Sequence, residues 1–362
     1  MRRALIVLAG LSLAGCRGHH AAPANASDDA GAGAGAAGSA TVGPATRVLQ
    51  PERHPPPPTT PMPRRVSEAL LEAGAAPRRA LRYRLEPAAR TLTAISRITS
   101  HGYDGGWTDP VTLAPVHEGF EVTPAGGGGP VHVRGVIAEV EADGQSDAAR
   151  TAAEAYLARW RAVLERRRAD LVVDERGGLG EVTLLTDPGG TTDPDAKDEL
   201  VQRWLGLAVP LPEAPVGVGA RWKVVTMLRA GGAVMTQTAI YRLARVDRDR
   251  WTIEVDLTRL GRPQEIQLPG QPPGATAQLV ALLRKVTGTV TVSPASPLPL
   301  DGQLTGEVRS QARIPVAGGP PRDQASEDTA SITLSTAPSS AASSPAAPLP
   351  APSPTAPPTA LP

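Results

Sequence analysis

Apolar and polar residues alternate with a period of two over much of the chain between residues 80 and 335. The cleanest run is Trp251, Ile253, Val255 and Leu257 set against Thr252, Glu254, Asp256 and Thr258, the signature of a strand with one dry and one wet face. Leu81, Tyr83 and Leu85 alternate in the same way with Arg82, Arg84 and Glu86. Further strands are predicted at Leu92 to Thr99, Gly119 to Thr123, Gly180 to Thr186, Arg221 to Arg229, Thr236 to Val246, Gln303 to Ile314 and Ser331 to Ser335. Asp247 to Arg250 is a polar connection of hairpin length, and the glycine run before Pro130 reads as another. Val131 and Val133 keep one phase, whereas Val136, Ala138 and Val140 keep the other, so a bulge is predicted at Gly135. Residues 275 to 286 fit a helix through Leu279, Leu282 and Leu283, while Val286 to Val292 fits a strand.

A period near 3.6 marks a long amphipathic helix over 147–168. Ala149, Ala152, Ala153, Tyr156, Leu157, Trp160, Val163 and Leu164 form its stripe, and Ser146 or Asp147 caps its start. Asp193 and Pro194 read as the cap and first turn of a further helical stretch carrying Val201, Trp204 and Leu205. Val66, Ala69, Leu70 and Ala73 are spaced for a short helix ending at Gly74. The fold class is therefore mainly β with α (α+β). A long antiparallel sheet, curved toward a half-barrel, carries the one long helix 147–168 on its concave face, because an apolar sheet face must be covered.

Composition sets the limits of this single globular domain at residues 64–335. Residues 16–63 are rich in Ala, Gly and Pro and residues 336–362 in Ala, Ser and Pro, and neither keeps a strand or helix period. The first of these is expected to act as a flexible tether with a mean span of about 35 to 40 Å. Gly33, Gly35 and Gly38 match a dinucleotide-binding spacing, but no strand precedes them and no apolar helix follows. A formal net charge of +1 supplies no basic face for nucleic acid. Aromatics make up 3% of residues, so the core must be built largely from Val, Leu, Ile and Ala.

The sole cysteine, Cys16, follows Leu13, Ala14 and Gly15, behind Arg2, Arg3 and an apolar run too short to span a bilayer. These residues resemble the lipobox of bacterial lipoproteins. The resemblance implies a signal peptide over 1–15, acylation of Cys16 with palmitate-type chains, and attachment to the cell envelope through the N-terminal lipid. With Arg17 rather than aspartate after the cysteine, it implies the outer membrane. An ordinary secretory signal with a chance cysteine is the alternative. Either way no second thiol exists to form an intrachain disulfide.

Leu211, Pro212, Pro215, Val216, Val218, Gly219 and Trp222 are similar to a pattern, L-P-x-x-P-V-x-V-G-x-x-W, found in an uncharacterised domain family of bacterial lipoproteins. That family has no assigned activity. Physically, the prolines keep the segment extended, Gly219 permits a turn, and Trp222 is the first large inward residue of a strand. The expected architecture also resembles the half-barrels of periplasmic lipid and lipoprotein carriers, although fold alone does not assign function.

No catalytic motif stands out. His117-Glu118 lacks the second histidine of H-E-x-x-H, and there is no G-x-S-x-G elbow. His101, His117 and His132 are weak metal candidates, and the acids from Asp187 to Glu199 lack the calcium-loop order. No cofactor is expected. Tyr156, Trp160, Trp222 and Trp251 are either core or ligand-facing. The expected function is a non-catalytic domain that binds or scaffolds an envelope protein or lipid, the alternatives being a half-barrel carrier or sensor of an apolar ligand and an envelope enzyme of unrecognised type.

Overall fold

The computed structural model describes residues 63–338 except 105, 126–130, 142, 165–167, 186–193, 231, 268–275 and 317–318. In chain order the elements are β1 (Arg64–Glu72), β2 (Arg90–Asp104), β3 (Val111–Thr112), β4 (Val116–Pro124), β5 (Val131–Val140), α1 (Asp147–Leu164), β6 (Arg168–Val173), β7 (Leu179–Leu185) and α2 (Pro194–Leu207). They continue as β8 (Arg221–Ala230), β9 (Ala233–Asp247), β10 (Arg250–Gly261), β11 (Gln264–Gln267), β12 (Thr276–Ser293), β13 (Ser296–Ile314) and β14 (Arg322–Pro338). Cys16, the tether and the tail beyond Pro338 lie outside the described residues.

All strands join one antiparallel sheet in the order β1-β8-β9-β10-β12-β13-β14-β2-β4-β5-β6-β7, with β11 beside β12 and β3 beside β2. Two meanders are spliced by the long pairing of β14 with β2, which runs from Gln324 opposite Asp104 to Pro338 opposite Arg90. The sheet curls into a nearly closed barrel. Its two ends, β1 and the β6–β7 hairpin, are bridged by side chains: Arg176, in the hairpin turn, reaches Glu68 of β1 at 3.1 Å.

Alternation along each strand decides what faces inward. Met235, Ala239, Tyr241 and Leu243 of β9, with Trp251, Ile253 and Leu257 of β10, are buried, and their polar neighbours line the outside. Most of these side chains belong to the main core cluster, which also holds Val286, Val290, Leu304, Leu334 and the α1 residues Ala153, Tyr156 and Leu157. The bulge expected at Gly135 is present: Gly119 pairs with Ile137 and Phe120 with Gly135, so Val136 is the extra residue. The ambiguous stretch from 276 is strand throughout.

Several expectations are corrected. The further helical stretch read from Asp193 and Pro194 is α2, so among the described residues two helices, not the one long helix alone, accompany the sheet. The first ends at Leu164 within the described residues, and its Ser146 cap accepts the Ala149 N–H at 3.2 Å. Arg168–Val173, at the end of the predicted helix, is instead a strand paired with β5 and β7. The short helix expected at Val66 to Ala73 is the edge strand β1, paired with β8. Two turns of isolated helix are too short to sustain themselves, and β8 offers an open ladder. As a result Val66, Leu70 and Leu71 face solvent, while Arg65 and Glu68 are half-buried. Residues 81–86 alternate as expected, with Leu81 and Tyr83 buried, but join no ladder. Their backbone is satisfied piecemeal, Tyr83 N–H donating to Glu175 and Arg84 N–H to Pro294. Order continues to Pro338 rather than ending at 335.

Candidate functional site

The residues singled out from the sequence fall into the core or apart from one another. Trp222 is fully buried, donates its indole N–H to the Pro210 carbonyl at 2.8 Å, and stacks on Tyr241 with ring centroids 5.6 Å apart. Trp251 and Tyr156 are buried, and Trp251 lies 6.0 Å from the Tyr83 ring. Trp160 sits on α1, but its side chain lies outside the described set. The proline-flanked segment leading to Trp222 is a structural corner. Leu211 and Val216 are buried, and Gly219 adopts φ of 86°. At Gly217, a side chain would meet the Ala75 carbonyl oxygen at 1.7 Å.

The three histidines do not converge. His117 lies opposite Ile95 on β2, six residues from His101, and His132 lies opposite Thr123, six residues from His117 on β4. Six strand residues span about 20 Å. His117 instead approaches Glu141 at 3.5 Å, His132 approaches Asp170 at 2.6 Å, and His101 stacks 4.6 Å from Trp107. Among the described residues no group of three His, Cys, Asp or Glu could hold a metal ion.

Two arrangements emerge that the sequence reading did not single out. The first is a buried ion network centred on α2. Arg203 donates from Nη1 to Glu118 of β4 at 2.6 Å and from Nε to Glu199 at 3.0 Å, and its guanidinium lies 5.7 Å from the Phe120 ring centroid. Burial alone would depress the Arg203 pKa, but Glu118 and then Glu199 outweigh it and hold the pKa above its ordinary value. Arg259 of β10, wholly buried, donates to Gln237 at 2.7 Å and to the side-chain and backbone oxygens of Gln202 at 3.0 and 2.8 Å. Its pKa is lowered by burial and then by Arg284; burial likewise pushes Arg284 down to about 10. Guanidinium groups remain charged near neutral pH regardless. The network pins α2 to strands β4, β9 and β10, so its chemistry is that of an internal brace. A phase signal existed: Glu118, Gln237 and Arg259 each occupy the inward phase of an otherwise apolar strand face.

The second arrangement is open to solvent. The outer faces of β12, β13, β14, β2 and the short β3 form a trough of about 430 Å³. Cross-strand register aligns its residues in rows: Thr287, Thr305, Ser331 and Arg97 in one, Lys285, Glu307, Thr329, Thr99 and Thr112 in the next. Two hydroxyl pairs touch, Thr99 with Thr112 at 3.0 Å and Thr287 with Thr305 at 3.2 Å. Arg97, Lys285 and Glu307 make no ion pair among the described residues. By contrast, two interior-side cavities of about 20 and 30 Å³ have room for a water molecule each.

Among the described residues no helix is long and apolar enough to cross a membrane. Comparison with known proteins finds no matching family model and no matching curated protein.

Proposed function

We propose that the chain is an exported, lipid-anchored envelope protein whose barrel domain is a binding module without catalytic chemistry of its own. One observation carries the binding half of this reading. The outer faces of β12, β13, β14, β2 and β3 present a trough lined by hydroxyls and by charges that have no ion-pair partner among the described residues. A concave surface that gathers several hydroxyls and charges is suited to a polar ligand. The anchoring half is supported by Leu13 to Cys16, and the outer membrane by Arg17 in place of an aspartate after the cysteine.

A second reading, a half-barrel carrier of an apolar ligand with α1 along the concave face, draws support from the core position of Tyr156 and Leu157. The indole N–H of Trp251, buried without a hydrogen-bond partner, also favours an interior guest.

The test is metabolic labelling with a palmitate analogue followed by membrane fractionation of the full chain and of Cys16→Ser. Labelled, membrane-bound wild type and unlabelled, released Cys16→Ser support the anchored module. An unlabelled wild type removes it. Native mass spectrometry of the same protein shows bound lipid if the carrier reading is correct and lipid-free protein if it is not.

A further inference from the structure

At one end of the trough stands an exposed aromatic group that the fold does not use. Trp107 is 50% exposed, with its ring 4.6 Å from His101 and 5.6 Å from Tyr103. The residues flanking it are tied together: Thr108 N–H donates to the Gly102 carbonyl, Gly102 N–H donates to the Thr108 hydroxyl, and Tyr103 and Trp107 form a backbone bridge. Half of the Trp107 indole stays in water beside two further rings, and exposed aromatic clusters of this kind suit binding surfaces. His101 belongs to the same outward phase of β2 as Thr99 and Arg97, so the aromatic group continues the line of the trough. The step from Thr99 to His101 is about 7 Å.

Resting on the binding-module reading above, we infer that this surface binds a glycan chain, with Trp107 stacking on the apolar face of one sugar ring and the threonine rows meeting the hydroxyls of its neighbours. Threonine hydroxyls both donate and accept, which matches the dual character of sugar hydroxyls. Arg97, Lys285 and Glu307 add two donors and one acceptor of fixed charge, suiting a neutral or carboxylate-bearing chain. Other ligand classes fit poorly. A peptide adding as a strand needs a long open edge; β13 and β14 are paired on both sides, and the edge strand at the trough, β3, is only 2 residues long. Nucleic acid needs a basic stripe, whereas the trough sets two cations against one carboxylate. A lipid surface needs an apolar patch, and threonine rows do not provide one.

The test is titration of the purified full chain in detergent with chitotetraose, cellotetraose and tetragalacturonate, read by intrinsic tryptophan fluorescence and by calorimetry. Saturable binding of at least one, weakened by about tenfold or more in Trp107→Ala, is the expected result. Trp107 lies on the surface, so its replacement leaves the unfolding temperature unchanged. Thr305→Val, which keeps side-chain shape and removes a trough hydroxyl, weakens binding by a smaller factor. No binding to any of the three sugars overturns the inference, as does binding that both variants retain in full. Binding to phosphatidylglycerol vesicles in place of sugars overturns it in favour of a lipid surface. Failure here alongside intact Cys16 labelling removes the glycan and leaves the anchored binding module standing.

Discussion

Arg176 Nη1 stands 3.1 Å from both carboxylate oxygens of Glu68, joining the β6–β7 turn to the edge strand β1 where no ladder runs between them. Glu68 gathers more than this one donor. Arg65 reaches it at 3.0 Å, and the Glu213 N–H donates to it at 3.0 Å. The seam of the barrel is therefore a single carboxylate serving three donors from three parts of the chain.

Replacing Glu68 with Ala strands all three donors, and the expected cost is about 1 to 3 kcal/mol, the range for charged hydrogen bonds in a half-buried setting. Arg176→Ala costs less, because Arg65 and the Glu213 N–H keep their acceptor. Urea denaturation of the two single variants and the double variant measures this, and equal costs for the two single changes would refute the hub role of Glu68.

Arg203→Met leaves Glu118 buried without its cation, and breaking a buried pair from one side costs about 3 to 5 kcal/mol. The loss depends on pH with a definite sign. An unpaired buried carboxyl has its folded pKa raised, so the folded state of the variant holds a proton that the unfolded state releases. The variant consequently regains stability as pH falls toward the unfolded carboxyl value, and Glu118→Gln in the same background restores part of it at pH 7. Unfolding midpoints across pH 4 to 8 give the answer; a flat profile for Arg203→Met contradicts it.

Gly217→Ala places a methyl group on the Ala75 carbonyl oxygen, with backbone on both sides and no flexible side chain to yield. The corner has to open, and a loss of about 3 kcal/mol is expected, near the upper end for overpacking. Gly219→Ala meets open space but must hold φ of 86°, so its cost is about 1 to 2 kcal/mol. Thermal unfolding of the two variants ranks them, and the reverse order would show that clash matters less than backbone conformation at this corner.

On the exposed end of the sheet, Arg313 donates to Asp323 at 2.8 Å and holds its carboxyl below the ordinary value. A depressed carboxyl contributes stability above its unfolded pKa and loses it as pH falls through the folded value. Carbonyl NMR titration should place Asp323 below an unperturbed aspartate and return it to the ordinary value in Arg313→Ala. An unchanged midpoint in that variant sinks the assignment.

Period-two alternation made the strands legible because it records which side of a sheet is dry; β10 and β9 were bounded to within a few residues on that signal alone. Helical spacing misleads at β1, where Val66 and Leu70 point outward and the half-buried face carries Arg65 and Glu68, since an edge strand is defined by its partner rather than by its own apolar count. Pairing order is likewise invisible in a pattern that never says which strand lies beside which; the splice of β14 to β2 joins residues more than two hundred apart. Of the proposed binding surface, His101 was noticed for its imidazole and Trp107 not at all. Nothing local shows that the threonines of five strands fall into register, whereas Arg259 could have been found as a charge sitting in the dry phase of its strand.

The chain enters the barrel at β1, the strand with a ladder on one side and side-chain ties on the other. Pulling on the N-terminus therefore loads the weakest joint of the ring first. Peeling β1 away would break the Glu68 hub and bare the edge of β8, while the long splice between β14 and β2, on the far side of the sheet order, carries none of the strain. Under the anchoring proposed above, tension would therefore open the seam at β1 before it reached the outer trough.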